Sequence, residues 1–207
     1  MLYAIFMAIK SLTSIFTKAK NALRDPLRQN SALCLMGDLM YIWSGAEYGN
    51  LLRSGTAMTG QALHIGGVLL GGNKKIGSYR MSDILMTGVV ACGMGYVASG
   101  SNLFGFEDAP RYFEMAMGAC ISSGAASVLA GKGTLAKRFF QSATVVSFGS
   151  AFEPALHQNG PEMDWALITD MDWRVFLGAT FFLLSARAAE KIPGAYKNMD
   201  AAPEKTI

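Results

Sequence analysis

The sequence predicts an all-α integral membrane protein with six transmembrane helices, built as three tandem helical hairpins and preceded by an N-terminal amphipathic interfacial helix. Three observations predict this class. The 207 residues are 51% hydrophobic and only 16% charged, apolar runs follow one another along the chain, and the basic residues are concentrated on one side of those runs. A soluble bundle with glycine-rich core helices is the alternative, and the length and low charge of the apolar runs favour a membrane protein.

The six predicted spans are apolar runs separated by short polar breaks. Each is near the ~20 residues that a helix needs to cross the hydrocarbon core. They cover residues 32–52, 56–72, 84–101, 112–130, 139–156 and 173–189. Pairing them in order divides the domain of residues 31–191 into hairpins at about 31–73, 84–133 and 139–190.

The placement of lysine and arginine predicts the topology. With a cytoplasmic N-terminus, every basic residue falls on the inner side except Arg53, Arg111 and Arg174. This bias satisfies the positive-inside rule at each loop and places both termini in the cytoplasm. The basic excess is therefore a topology signal, and the sequence predicts no nucleic-acid partner.

The first 30 residues predict an amphipathic helix on the cytoplasmic side, because apolar residues recur there at steps of three and four. Pro26 disfavours helical geometry in the residue before it and ends this arm. The helix is expected to lie in the cytoplasmic leaflet, or alternatively to dock against another membrane subunit. Residues 192–207 are expected to form a mobile cytoplasmic tail. The basic residues expected at the membrane surface are Lys10, Lys18, Lys20, Arg24 and Arg28.

A short repeat suggests that the hairpins are related. The pattern Tyr-x-x-Ser-Gly occurs in the first span and again, fifty-five residues later, in the third. Such brief matches between glycine-rich segments also arise by chance, so the repeat is a hypothesis. The matched residues are Tyr41, Ser44 and Gly45 in the first copy and Tyr96, Ser99 and Gly100 in the second.

Small residues at helical spacing mark the expected helix contacts. In lipid, helices associate largely where small side chains let their backbones approach. The intramolecular arrangement is the default, although contacts between chains would use the same pattern. The expected packing residues are Gly67, Gly71, Gly88, Gly118, Ser122, Ser123 and Ser127.

Asp38, with Tyr41 and His64, forms the candidate polar site. Asp38 and Glu47 are nine residues apart and lie on opposite helical faces, so they form no carboxylate dyad. The rise per residue places Asp38 ~9 Å and His64 ~12 Å from the inner boundary, so the two side chains are able to meet. A buried charge costs at least ~2.5 to 3.5 kcal/mol and needs a partner. The pair either locks the first hairpin or relays protons along a small-solute pathway.

The remaining patterns favour a function without catalysis. The sequence contains none of the common nucleotide-binding or hydrolase motifs, no metal-ligand spacing and only two histidines, so we expect neither a cofactor nor a metal. The predicted function is a non-catalytic membrane subunit or scaffold that packs with lipids and with other membrane proteins or itself. The alternative is a small-solute or proton-coupled transporter or channel acting as a homo-oligomer. The short loops are typical of a bacterial inner membrane, and an organellar membrane would give the same pattern.

Overall fold

The computed structural model describes residues 25–70, 75–101, 110–159 and 165–191. These residues are mostly helical, which confirms the predicted helical class. The N-terminal arm before residue 25 and the tail after residue 191 lie outside them. The elements are α1 (Pro26–Glu47), α2 (Leu51–Leu70), β1 (Lys75–Ile76), β2 (Tyr79–Arg80), α3 (Met81–Gly100), α4 (Tyr112–Leu129), α5 (Gly133–Asn159), α6 (Trp165–Thr169) and α7 (Trp173–Ala189).

The prediction of six transmembrane spans in three hairpins is wrong. Among the described residues, only α3 is long and apolar enough to cross a membrane, a property that core helices of soluble proteins also share. Glycine, serine and ionisable residues lower the mean hydropathy of the other long helices. Helix α1, for example, contains Arg28, Asp38 and Glu47. Helix α7 is also short, with 17 residues. The apolar composition of the chain is therefore not concentrated into six spans.

A turn at residues 48–50 separates α1 from α2 and interrupts the first predicted span, which ran to residue 52. Gly49 has a φ of 68°, a left-handed conformation that glycine adopts without strain. Asn50 then caps α2, since its Oδ1 accepts a hydrogen bond from the backbone N of Arg53 at 2.9 Å. At the other end of α1, Pro26 occupies the first helical position, where its missing N–H costs nothing.

The six long helices pack as a closed ring in the order α1, α2, α3, α4, α5 and α7. Helix α1 packs about equally against α2 and α7, so it belongs to no separate hairpin. The core at the centre of the ring receives one residue from each long helix: Tyr41, Ala57, Tyr96, Met117, Ala151 and Val175. Three of these six side chains are alanine or valine, which allows the helices to approach closely.

The hairpin repeat finds no support in the fold. Tyr41 and Tyr96 are both buried, yet the Tyr41 hydroxyl lies 3.3 Å from Ser150 Oγ, whereas the Tyr96 hydroxyl has no hydrogen-bond partner within the described part of the chain. Ser44 donates to Asp172, while Ser99 donates to Asn50. The matched residues therefore make unrelated contacts.

Candidate functional site

Asp38 and His64 are in contact between α1 and α2. Nδ1 of His64 pairs with Oδ2 of Asp38. Asp38 is 3% exposed, whereas the His64 side chain is 24% exposed, so the pair is reached from the histidine side. Gly60 makes room for the carboxylate, because a Cβ there would lie 2.9 Å from Asp38 Oδ1. Whether the pair is structural or relays protons stays a prediction.

Next to this pair, α1 makes polar contacts with α7. Asn30 Nδ2 donates to the backbone oxygen of Ser185 at 2.9 Å and to its Oγ at 2.8 Å. Cys34 Sγ lies 2.8 Å from the same Oγ. Ser185 of α7 therefore forms hydrogen bonds with two residues of α1. Cys34 acts as a packing and hydrogen-bonding residue.

Tyr41 is the third predicted site residue, and its hydroxyl faces a different part of the bundle. It lies 3.3 Å from Ser150 Oγ of α5 and 3.4 Å from Met117 Sδ of α4. Its ring packs edge-on against Tyr96 with centroids 5.5 Å apart. The structure therefore joins Asp38 to His64 but places Tyr41 in the central core.

A second ionic cluster lies at the end of the bundle where α2, α4 and α7 begin. Arg53 has no solvent exposure, and Glu114 is 1% exposed. Nε of Arg53 donates to both carboxylate oxygens of Glu114 at 3.1 Å, and Nη2 donates to Oε2 at 2.6 Å. Such two-point, charge-assisted contacts are the strongest hydrogen bonds between side chains. Helices α2 and α4 are thereby joined although they are not neighbours in the ring.

The cluster continues into α1 and α7. Arg53 Nη1 lies 3.4 Å from Ser44 Oγ, and Ser44 Oγ donates to Asp172 Oδ2 at 2.5 Å. Asp172 Oδ1 accepts from the backbone nitrogens of Arg174 at 3.1 Å and Val175 at 3.4 Å, which makes it the N-cap of α7. Arg174 Nη2 is 3.3 Å from Glu47 Oε1. We call this set the Arg53 network: Arg53, Glu114, Ser44, Asp172, Arg174 and Glu47.

Glu153 of α5 borders the network and caps α4 from a different helix. Its Oε1 accepts the backbone N–H of Phe113 at 2.6 Å, satisfying a donor in the first turn of α4. Its Oε2 has no hydrogen-bond partner among the residues that the structure describes, and the residue is 2% exposed. Burial raises the pKa of this carboxyl to about 7. The site is therefore able to hold a proton near neutral pH.

The small residues predicted to mediate packing lie at several interfaces. Ser122 Oγ donates to the backbone oxygen of Val90 at 2.9 Å, and a Cβ on Gly118 would lie 2.7 Å from Val97 N, so α4 and α3 approach backbone to backbone. Gly88 faces Leu63 of α2.

Others of the predicted packing set make local contacts. A Cβ on Gly67 would lie 2.9 Å from Ser31 Oγ, between α2 and α1. Ser127 Oγ donates to the backbone oxygen of Ser123 at 2.7 Å, a bond within α4. Gly71 lies outside the described residues.

Of the predicted membrane-surface residues, the structure describes Arg28. It is exposed and its Nε lies 3.6 Å from Asp25 Oδ2. The remaining four, Lys10, Lys18, Lys20 and Arg24, lie outside the described residues.

Sequence reasoning missed the Arg53 network. Glu47 is exposed and pairs with Arg174, while Arg53 pairs with Glu114. One signal was present: Arg53, Arg111 and Arg174 are the only basic residues assigned to the outer side. Three isolated arginines among apolar runs require partners, and the acidic residues at that end supply them.

Within the described part of the chain, no group of three or more His, Cys, Asp or Glu side chains is placed to hold a metal ion. No protein-family model, curated protein or solved structure matches this chain. The function therefore has to be inferred from the chemistry of its buried ionic clusters and of its surface.

Proposed function

We propose that this chain is a non-catalytic membrane protein that acts by packing with lipid and with other membrane-protein subunits. The observation that carries the proposal is an inverted distribution of side chains. Most buried positions hold serine, alanine, glycine or ionisable residues, and the larger buried apolar side chains are Tyr41, Met81, Tyr96, Met117 and Val175. No Leu, Ile, Phe or Trp is buried among the described residues. Soluble proteins bury these large apolar residues preferentially. The exposed ones need an apolar environment outside the chain.

Helix α3 supports a bilayer as that environment. Its 20 residues span ~30 Å at 1.5 Å per residue, which matches the hydrocarbon core. Only 22% of its apolar stretch is buried inside the bundle. A core helix of a soluble protein would be mostly buried, so we assign α3 to the membrane.

Lysine placement supports an orientation. In the described part of the chain, every lysine lies at the end of the bundle opposite the Arg53 network: Lys75, Lys132, Lys137 and Lys191. By the positive-inside rule we place that end in the cytoplasm of a bacterium, with the protein in the inner membrane.

The test is purification of the tagged chain from its own membrane in a mild detergent, followed by native mass spectrometry. Other subunits retained in a fixed ratio, together with bound phospholipid, are expected. A monomer or homo-oligomer would instead favour transport. Recovery of the chain in the supernatant of sedimented membranes, before any detergent, would contradict both proposals.

The second candidate function is proton-coupled or small-solute transport by a homo-oligomer, and the Asp38–His64 contact favours it. Asp38 is buried in α1, and Arg53 and Glu114 are buried at the end of the bundle where α2 and α4 begin. The interior therefore holds polar groups at more than one depth.

Thiol labelling separates the two functions. In a background with Cys34, Cys92 and Cys120 replaced by serine, a single cysteine at position 41 or 64 is exposed to membrane-impermeant reagents from each side. Transport requires that the reagents label both positions, and that the reagent on each side of the membrane labels at least one of them. Protection of both positions from both sides would contradict transport, and Leu39→Cys on the exposed face of α1 provides the matched control for reagent access through lipid.

A further inference from the structure

We propose that exposed aromatic residues at the Arg53 end of the bundle form a collar that sits in the headgroup layer of a phospholipid membrane. The inference rests on the proposed membrane location and adds the depth and contact chemistry of one end. Each collar residue is at least 40% exposed. The collar consists of Trp43, Tyr48, Tyr112, Trp165 and Trp173.

The collar residues belong to one end of the fold. They lie in the last turn of α1, the α1–α2 turn, the first residue of α4, helix α6 and the first residue of α7. In the ring order, α4 lies opposite α1. The aromatic side chains therefore come from four helices and one turn at the same end of the bundle. A headgroup layer at the level of this end would contact all of them at once.

Arginines hold part of the collar in place. The Trp43 and Trp173 rings meet edge to face with centroids 5.0 Å apart. The Arg174 guanidinium carbon lies 5.5 Å from the Trp43 centroid and 5.3 Å from the Trp173 centroid, and that of Arg111 lies 5.4 Å from the Tyr48 centroid. Indole and phenol rings with a nearby cation suit a layer that is apolar on one side and rich in phosphate on the other.

The collar lies at the level where α3 ends. The backbone N of Arg111, next to Tyr112, donates to the backbone oxygen of Gly100 at 2.7 Å. Ser99 Oγ donates at 3.3 Å to Asn50, which adjoins the turn containing Tyr48. An aromatic belt at the end of an apolar helix is the arrangement that places the helix end at a membrane interface.

The whole chain contains three tryptophans, and all three belong to the collar. Intrinsic fluorescence of the full chain in phosphatidylcholine vesicles therefore reports on the collar alone. Phospholipids brominated near the headgroup are expected to quench about twofold more than those brominated near the acyl terminus, because interfacial rings lie close to the headgroups. Equal quenching, stronger quenching by the deep bromines, or none in vesicle-bound protein would overturn the collar.

A matched variant calibrates depth. With all three tryptophans replaced by phenylalanine, Leu39→Trp puts one reporter on the exposed face of α1, one turn and ~6 Å below position 43. Its quenching should shift toward the deep bromines, and a Trp43-only chain should keep the shallow preference. Identical profiles for the two reporters would overturn the assigned depth.

Vesicle flotation is run in parallel: a chain that fails to float refutes the membrane location and the collar together, whereas floating chain with unquenched tryptophan refutes only the collar.

Discussion

The two buried ionic contacts of the bundle differ in how fully their charges are satisfied. Arg53 and Glu114 have almost no solvent exposure and share three nitrogen–oxygen contacts of 2.6 to 3.1 Å. Asp38 has one histidine partner, and that histidine is 24% exposed on its side chain. The first contact is enclosed and part of a network, and the second is partly exposed and has Cys34 beside the histidine.

The stability of the fold depends more on the Arg53–Glu114 contact than on the Asp38–His64 contact. The Arg53 network links α2, α4, α1 and α7, and it includes the cap of α7. Removing one charge there leaves its partner in a low-dielectric interior, where an uncompensated ion is costly. An imidazole is able to be neutral, and His64 has Cys34 as a second polar neighbour, so the loss of Asp38 leaves no fixed charge without a partner. We expect stability to be lost mainly at the Arg53 end.

Glu114→Ala should have the largest effect. It leaves the buried Arg53 guanidinium without its carboxylate, and breaking a buried pair in this way costs about 3 to 5 kcal/mol. Chemical unfolding of the purified chain in mild detergent measures the change in free energy of unfolding.

The matched control removes both charges. Arg53→Met combined with Glu114→Leu should recover part of the loss, because position 53 no longer holds an uncompensated ion, while the buried Arg111, 4.0 Å from Glu114, still loses its carboxylate neighbour. A double variant as unstable as Glu114→Ala would show that the shape of the pair, and not its charge balance, matters at this position.

Asp172→Ala should have the next effect, about 2 kcal/mol, because it removes the N-cap of α7 and the acceptor of the Ser44 hydroxyl. Asp172→Asn retains a capping oxygen and should lose less. Thermal unfolding of the two variants compares them directly. Equal losses would assign the effect to the negative charge and not to the cap.

The Asp38–His64 contact could be predicted from the sequence, whereas the Arg53–Glu114 contact could not. Asp38 and His64 lie on consecutive helices, so the rise per residue places them at similar depths. Arg53 and Glu114 lie on α2 and α4, and their meeting depends on the closure of the ring, which no local pattern encodes. The boundaries of α4 and α7 were close to residues 112–130 and 173–189 because short polar breaks mark them.

The number of spans was wrong for a related reason. Hydrophobic runs count apolar residues but do not say which way they face. In α1, Met36, Leu39 and Trp43 are exposed while Asp38 and Ser44 are buried. The resulting helix is too polar to qualify as a span by composition, although its outer face is apolar.

Glu153→Gln should change the pH dependence of stability. The folded-state pKa of Glu153, about 7, lies above its ordinary value of 4.5. Its stabilising contribution is therefore fully present below about pH 4.5 and lost as the pH rises through about 7.

Glutamine does not ionise and keeps an oxygen for the Phe113 N–H. We expect the variant to match the parent near pH 4 and to exceed it by about 2 to 3 kcal/mol near pH 8, since each unit of pKa shift corresponds to about 1.4 kcal/mol. Asp83→Asn, at an exposed position on α3, is the control and should leave the pH profile unchanged.

The Asp38–His64 pair should show the smallest effect, and a double-mutant cycle distinguishes its two roles. Asp38→Asn and His64→Gln each retain a hydrogen-bonding group, so each should lower the free energy of unfolding by about 0.5 to 1 kcal/mol. If the pair only joins α1 to α2, the double variant should lose less than the sum of the two, because the coupling is already gone. Strict additivity would show that the contact contributes nothing to stability. Normal stability combined with lost proton flux in vesicles would then assign the pair to transport, because a contact between a buried carboxyl group and a partly exposed histidine that adds no stability needs another reason to exist.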